Sequence, residues 1–124
     1  MIKQNFIIIC ESAVIEKDTS NLYILGTFEN IYFSKTPALH PKFAVVTKFE
    51  EGIGEHSHKI VIRHESGEEA GKMEGKIIFG SNQKAQHIGK FIGFLFPKFG
   101  KYMIEVYVDE ILQLTEELNV IEKS

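Results

Sequence analysis

Residues 55–65 read EHSHKIVIRHE and have the two-residue period of a β-strand. His56 and His58 share one face of that strand. Two isoleucines, Ile60 and Ile62, continue the same face, and alternate β-branched residues are typical of a strand with one face in a core. The stretch therefore predicts a half-buried strand, with His58 at the edge of the core and His56 at its rim.

The same histidines raise the alternative of a metal site. A structural zinc ion needs four ligands, so His56 and His58 would need partners from elsewhere in the chain. His64 shares their face but lies about 20 Å from His58 at about 3.3 Å per residue, too far to bind the same ion. We keep His56 and His58 as candidate metal ligands but expect no metal and no other cofactor.

The rest of the chain repeats short apolar runs between turn signals, without a long helical stripe. Residues 102–108 alternate cleanly between apolar and mixed positions. Residues 111–121 contain Leu, Gln and Glu, which favour a helix, but the turn at Asp109 gives them a partner strand. We predict a strand there, and for residues 1–124 a single antiparallel immunoglobulin-like β-sandwich of seven to eight strands.

Composition indicates one globular domain in a reducing compartment. The chain has 124 residues, of which 44% are hydrophobic and 25% charged, as in ordinary soluble domains. Cys10 is the only cysteine and cannot form an internal disulfide. No apolar run approaches the roughly 20 residues of a membrane helix. We expect a cytoplasmic protein without membrane contact.

Charge is unevenly distributed along the second half of the chain. Residues 72–101 carry six lysines and one glutamate, whereas residues 102–122 carry five glutamates, one aspartate and no base. We expect the two blocks to form neighbouring strands that neutralise each other by cross-strand pairing. The alternative is a polarised surface that attracts a charged partner.

Several local patterns resemble a family of small bacterial proteins of unknown function. They follow the chain order from the first strand to the last hairpin: Cys10-Glu11, Gly26-x-Phe28-x-x-Ile31, Pro37-x-x-His40-Pro41, Gly54-Glu55-His56, Phe96-Pro97-x-x-Gly100-x-Tyr102 and Glu105-Val106-Tyr107-Val108-Asp109. The resemblance implies a compact immunoglobulin-like sandwich and no particular activity. The family's usual glycine after Asp109 is Glu110 here, so we expect the last hairpin turn to differ.

The sequence offers little support for catalysis. Cys10 lies in a strongly apolar strand, where a thiol is usually buried. A Gly-x-Ser-x-Gly elbow is absent, and the glycines around Ile53 lack the lysine and the following helix of a phosphate-binding loop. Paired carboxylates such as Glu50-Glu51 resemble solvated turns. We therefore expect that the protein is not an enzyme.

Two binding hypotheses remain. The first is a protein-interaction module for an unknown partner, which includes self-association through β-edges or sheet faces. Its candidate binding residues are Phe99, Lys98, Lys101 and Tyr107, together with Met103 and Tyr32.

The second hypothesis is a small-ligand or single-stranded nucleic-acid binder. Residues 84–102 interleave lysines with aromatic residues, as single-strand binders do. However, Phe94 and Phe96 share a strand face with Ile92, which predicts a core position for all three. Nucleic acid is therefore the less expected partner.

Overall fold

The structure is a computed structural model and describes residues 2–123. These residues form nine strands: β1 (Lys3–Ile15), β2 (Leu22–Thr27), β3 (Asn30–Phe33), β4 (Ala38–Glu50), β5 (Glu55–His64), β6 (Glu69–Ile78), β7 (Lys84–Phe96), β8 (Gly100–Val108) and β9 (Ile111–Glu122). Within this range no helix has the length and hydrophobicity needed to cross a membrane. The all-β prediction is confirmed.

The strands form two sheets that share one core. The four-stranded sheet has the order β2-β1-β4-β7, and the five-stranded sheet has the order β3-β9-β8-β5-β6. Phe43 and Phe96 of the first sheet belong to the same buried cluster as Ile60, Ile104 and Leu118 of the second. The apolar residues of the two facing surfaces are thereby removed from water, which is the main stabilising contribution in such a layered fold.

The strand count and direction differ from the prediction at one place. Residues 22–33 form two strands, because the chain crosses from one sheet to the other at Phe28 and Glu29. β2 pairs with β1 in the four-stranded sheet. β3 pairs with β9 in the five-stranded sheet, and this pair is parallel. The predictions of seven to eight strands and of purely antiparallel pairing were therefore wrong.

In β4 and β7 the alternation of inward and outward residues is reversed at one point, which is Pro41 in β4 and Gly93 in β7. These residues lie opposite each other, between the pairs His40–Phe94 and Lys42–Ile92. Gly93 has φ +62°, a conformation that glycine adopts without steric cost. Alternation is interrupted there, so Phe94 packs against the core while Ile92 is 82% exposed. The predicted core position of Ile92 was wrong for this reason.

The two remaining strand predictions are confirmed. In β5, Ile60 and Ile62 are fully buried, and His58 on the same face is 2% exposed. β9 pairs with β8 across the two-residue loop Asp109-Glu110. Both loop residues have positive φ, 51° and 66°, the pattern of a type I′ hairpin turn.

Candidate functional site

His56 is a structural hydrogen-bonding residue at the start of β5. Its Nδ1 lies 2.7 Å from Oδ2 of Asp109, and its Nε2 lies 2.8 Å from the carbonyl oxygen of Ile53. Both partners accept hydrogen bonds, so the ring satisfies both when it is protonated, and the bond to Asp109 is the main cause that raises the pKa of His56. In this protonated form both nitrogens donate, and neither has a lone pair for a metal ion.

His58 is buried inside the protein, in surroundings different from those of His56. Its ring packs edge-on to Phe49, with ring centroids 5.6 Å apart, and lies 4.2 Å from the ring of His87 on β7. Burial, with a smaller contribution from His87, lowers the pKa of His58 to about 4. Among residues 2–123 no three His, Cys, Asp or Glu side chains converge on a point where a metal ion could be held.

The predicted candidates around the β7–β8 turn are engaged in local contacts. The ammonium of Lys98 lies 3.5 Å from Glu68, and that of Lys101 lies 2.9 Å from Glu117. Phe99 is half-buried against the core, and its carbonyl oxygen accepts a hydrogen bond from His64 Nε2 at 2.9 Å.

The aromatic residues of segment 84–102 point inward. Phe91, Phe96 and Tyr102 are buried, and Phe94 packs against the same core. The lysines and the aromatic rings of this segment therefore do not share a surface on which bases could stack.

The outer face of the five-stranded sheet is charged and self-neutralised. Tyr107 is half-buried, donates its hydroxyl to Glu105 at 2.9 Å and lies beneath the ammonium of Lys59. Arg63 also contacts Glu105, at 3.3 Å. Of the other predicted candidates Met103 is half-buried, whereas Tyr32 on β3 is 57% exposed.

The predicted neutralisation between the basic and acidic blocks is limited to one ion pair among the described residues, Lys101–Glu117. Glu105 and Glu110 of the acidic block instead contact Arg63 and Lys59 of β5. The expectation was wrong because β7, which carries Lys84 and Lys90, lies in the other sheet.

The outer face of the four-stranded sheet is apolar. Ile7, Ile9, Val45 and Phe49 point into the core, so the alternate residues of β1 and β4 point outward. The strand registers align these outward residues in three rows across β1, β4 and β7: Phe6–Lys48–Gln86, Ile8–Val46–Ile88 and Cys10–Ala44–Lys90. Cys10, Ala44 and Val46 are buried within this layer, while the larger Phe6, Ile8 and Ile88 around them remain partly exposed.

Three lysines surround this apolar layer. Lys42, Lys48 and Lys90 have no carboxylate within 4.0 Å in the described part of the chain. Lys42 and Lys90, with Glu11 and the exposed Ile92, line a cleft of about 240 Å³ where β4 separates from β1. We call the surface formed by Phe6, Ile8, Ile88, Ile92, Lys42, Lys48 and Lys90 the β1–β4–β7 face.

Sequence reasoning missed this face although a signal for it exists. The runs FIIIC (residues 6–10) and FAVV (residues 43–46) are apolar at every position. A strand with one solvated face alternates, whereas a continuous apolar run is typical of a strand covered on both faces. The predicted burial of Cys10 is confirmed, since it is 0% exposed, but the thiol lies in this outer layer and not in the main core.

The sequence model of the family of unknown function DUF6941 matches residues 5–121. The chain belongs to this family. The match supports the resemblance drawn from the local patterns at the level of a family without an assigned function. Among curated protein sequences, none matches this DUF6941 chain.

The fold of this DUF6941 protein is similar to that of part of a larger protein of known structure. It is the Pseudomonas fluorescens alkylpurine DNA glycosylase AlkC bound to DNA containing an abasic site analog. The superposition has a TM-score of 0.58 at 8% sequence identity and covers 97% of this chain. This chain spans only 30% of the AlkC chain, and at this identity the likeness concerns the fold alone.

Proposed function

We propose that this protein is a non-enzymatic, cytoplasmic protein-interaction module that binds its partner through the β1–β4–β7 face. The observation that carries the proposal is the row Ile8–Val46–Ile88 on the solvent side of a sheet whose inner side already forms the core. The outer face of an antiparallel sheet is ordinarily polar, and exposed apolar patches with a polar rim are typical of protein-binding surfaces.

The charges around this face specify the kind of partner. Among residues 2–123, no carboxylate lies within 4.0 Å of Lys42, Lys48 or Lys90, whereas Lys59, Lys98 and Lys101 elsewhere are paired. A partner with an apolar centre and an acidic rim would complement the surface. Two copies of this chain packed face to face would instead bring the same three lysines of each copy together. We therefore assign the face to a different protein rather than to self-association.

We also infer an immunoglobulin-like architecture, which would support a binding role. The inference rests on the strand orders: β1, β4 and β7 follow the order of strands A, B and E of that fold, and β9, β8, β5 and β6 follow the order of strands G, F, C and C′. Sandwiches of this kind commonly serve as cell-surface and recognition domains, although fold alone assigns no function. The lone buried Cys10 agrees with a cytoplasmic location, and the family resemblance agrees with a bacterial source.

The nucleic-acid alternative keeps one supporting observation, the three lysines of the same face that form no ion pair with any carboxylate in the described part of the chain. Against it, the aromatic rings of segment 84–102 lie in the core, and Lys98 and Lys101 are ion-paired. Stacking of exposed bases on aromatic side chains is a main source of affinity in single-strand binders. We therefore rank nucleic acid as the second candidate.

Photo-crosslinking in the native host tests the proposal. A photo-reactive amino acid is introduced in place of the exposed Ile92, and a matched probe replaces Tyr107 on the opposite sheet. We expect the probe at position 92 to give a product with one other protein, crosslinked through an acidic segment. Lys48→Glu and Lys90→Glu should each reduce the yield of that product, because like charges then meet across the interface.

Three outcomes would contradict the proposal. A product from position 107 alone would assign binding to the opposite sheet. A product that consists of two copies of this chain would assign the face to self-association. A product with nucleic acid, lost on treatment with nuclease, would favour the alternative.

A further inference from the structure

β9 has an edge that is only partly covered. On one side it pairs with β8 from Ile111 to Val120. On the other side β3 pairs with it only from Asn119 to Glu122. Among the described residues, positions 111–118 therefore have no strand partner on the β3 side, and an unpaired edge of this kind can accept an additional strand.

The hydrogen bonds identify which backbone groups point outward at this edge. The amide of Asn119 donates to the carbonyl of Glu29 at 2.8 Å, so it points to the β3 side. Because backbone direction alternates along a strand, the amides of Thr115 and Glu117 point to the same side. The amide of Glu117 indeed donates to the side chain of its neighbour Glu116, at 3.2 Å. A side chain of the same strand thus occupies a donor that a further strand could use.

Two clefts lie along this edge, on the side where β9 approaches β1. One, of about 430 Å³, is lined by residues 7–9, residues 27–30 and Glu116. The other, of about 420 Å³, is lined by Ile2 and by residues 108–113 except Glu110. Neither lining contains a lysine or arginine. The first cleft carries the carboxylates of Glu29 and Glu116, and the second is lined mainly by aliphatic side chains.

We propose that this edge of β9 binds an extended segment of a partner protein, which adds a strand to the five-stranded sheet beside β3. The segment carries a basic side chain that enters the cleft at Glu29 and Glu116, and an aliphatic side chain that enters the cleft at Ile111. β9 has one extra residue between Leu112 and Thr115, so Ile111 and Glu116 lie opposite Val108 and Ile104 of β8, which are four positions apart on one face. A regular segment on the other side of β9 therefore places its two side chains four positions apart on one face, about 13 Å along the strand. When the segment binds, the carboxylate of Glu116 leaves the amide of Glu117 and pairs with the basic side chain.

The charge of the edge argues against a second copy of this chain as the occupant. Two β9 edges paired with each other would bring Glu116 and Glu117 of both copies together, and like charges opposite each other destabilise a strand pair. The site shares only Ile8 with the β1–β4–β7 face, and the residues that test the two proposals, Thr115 and Glu116 here and Lys48, Lys90 and Ile92 there, lie on different sheets. Its failure would therefore leave the proposed function untouched, and the reverse also holds.

Peptide binding to the full chain tests this inference. The probe is a fluorescein-labelled peptide, TVTVTKTVTVT, which reads the same in both directions and places valine four positions from lysine. The matched control peptide has glutamate in place of lysine. We expect the lysine peptide to bind in fluorescence anisotropy, with amide NMR shifts concentrated in β9, and the glutamate peptide to bind at least about tenfold more weakly.

Two variants locate the site. Thr115→Pro removes an outward amide and leaves the β8 side of the strand intact, so it should weaken binding of the lysine peptide by about tenfold. Thr115→Ala keeps the amide and should bind the peptide like the wild type. Glu116→Lys should also weaken binding of the lysine peptide. This variant contains no new proline, so it tests the site even if the strand does not tolerate Thr115→Pro. Equal affinity for the two peptides, no binding, or shifts outside β9 and its neighbours would overturn the inference. A dimer that Thr115→Pro converts to a monomer in light scattering would also overturn it, because the edge would then bind a second copy.

Discussion

At the scale of single residues, His58 makes the stability of the fold depend on pH. Its pKa is about 4 in the folded protein, against an ordinary value of about 6.5. Between these values the unfolded chain binds a proton that the folded protein does not. The free energy of unfolding therefore falls as the pH falls, by about 1.4 kcal/mol per pH unit. From neutral pH to about pH 5 we expect His58 to account for a loss of about 2 kcal/mol.

His58→Leu separates this effect from the other titrating groups. The leucine cannot be protonated, so urea unfolding at about pH 7 and pH 5 should show a loss about 2 kcal/mol smaller than in the wild type. At neutral pH the variant should be at least as stable, because neither ring nitrogen of His58 has a hydrogen-bond partner among residues 2–123. Equal losses in the two proteins would contradict this account.

His56 provides a control, because it should change the pH dependence of the free energy of unfolding in the direction opposite to His58. The bond to Asp109 raises the pKa of His56, so its stabilisation is fully present below about pH 6.5 and is lost as the pH rises through the folded pKa. His56→Gln should therefore make the acid loss steeper than in the wild type. His87, whose pKa is lowered by burial, acts in the same direction as His58.

At the scale of elements, the β8–β9 turn carries strain that one substitution can relieve. Glu110 has φ +66°, which costs a residue with a Cβ about 1 kcal/mol relative to glycine. Its carboxylate contacts Lys59 at 3.0 Å, but the side chain is 75% exposed and such pairs contribute little. Glu110→Gly should therefore raise the free energy of unfolding by about 0.5 to 1 kcal/mol.

Glu110→Ala is the matched control for the turn. It removes the same contact with Lys59 and keeps the unfavourable φ, so it should be slightly less stable than the wild type. Chemical denaturation of the three proteins makes the comparison. If Glu110→Gly is no more stable than Glu110→Ala, backbone strain at this turn does not limit stability.

The same scale explains what the sequence could and could not predict. Alternation in residues 102–108 and 55–65 was enough to predict strands and their buried faces. The position of Ile92 was not predictable, because the change of face depends on a positive φ at Gly93 opposite Pro41 on a distant strand. Nor could the sequence show which lysines are paired, since each partner lies on a strand whose neighbour in the sheet was unknown.

For the candidate binding face, the sequence contains the apolar residues but does not show that some of them lie on the outer side of a sheet. The continuous apolar runs at residues 6–10 and 43–46 indicate buried strands but do not show what covers each of the two strand faces. Only the strand registers show that alternate residues of these runs meet on the outer side of the sheet. The free edge of β9 was also not predictable from the sequence. The position at which the chain crosses between the sheets, Phe28 and Glu29, determines how much of that edge β3 covers.

At the scale of the whole molecule, one core shared by two sheets predicts a single unfolding step. Phe43 of β4 and Ile104 of β8 belong to the same buried cluster. Phe43→Leu and Ile104→Val should each lower the free energy of unfolding by about 1 kcal/mol without changing its dependence on urea. Far-ultraviolet circular dichroism and tyrosine fluorescence should give coincident curves in both variants. If Phe43→Leu instead separates the curves into two transitions, the four-stranded sheet unfolds by itself and the prediction of a single domain is wrong.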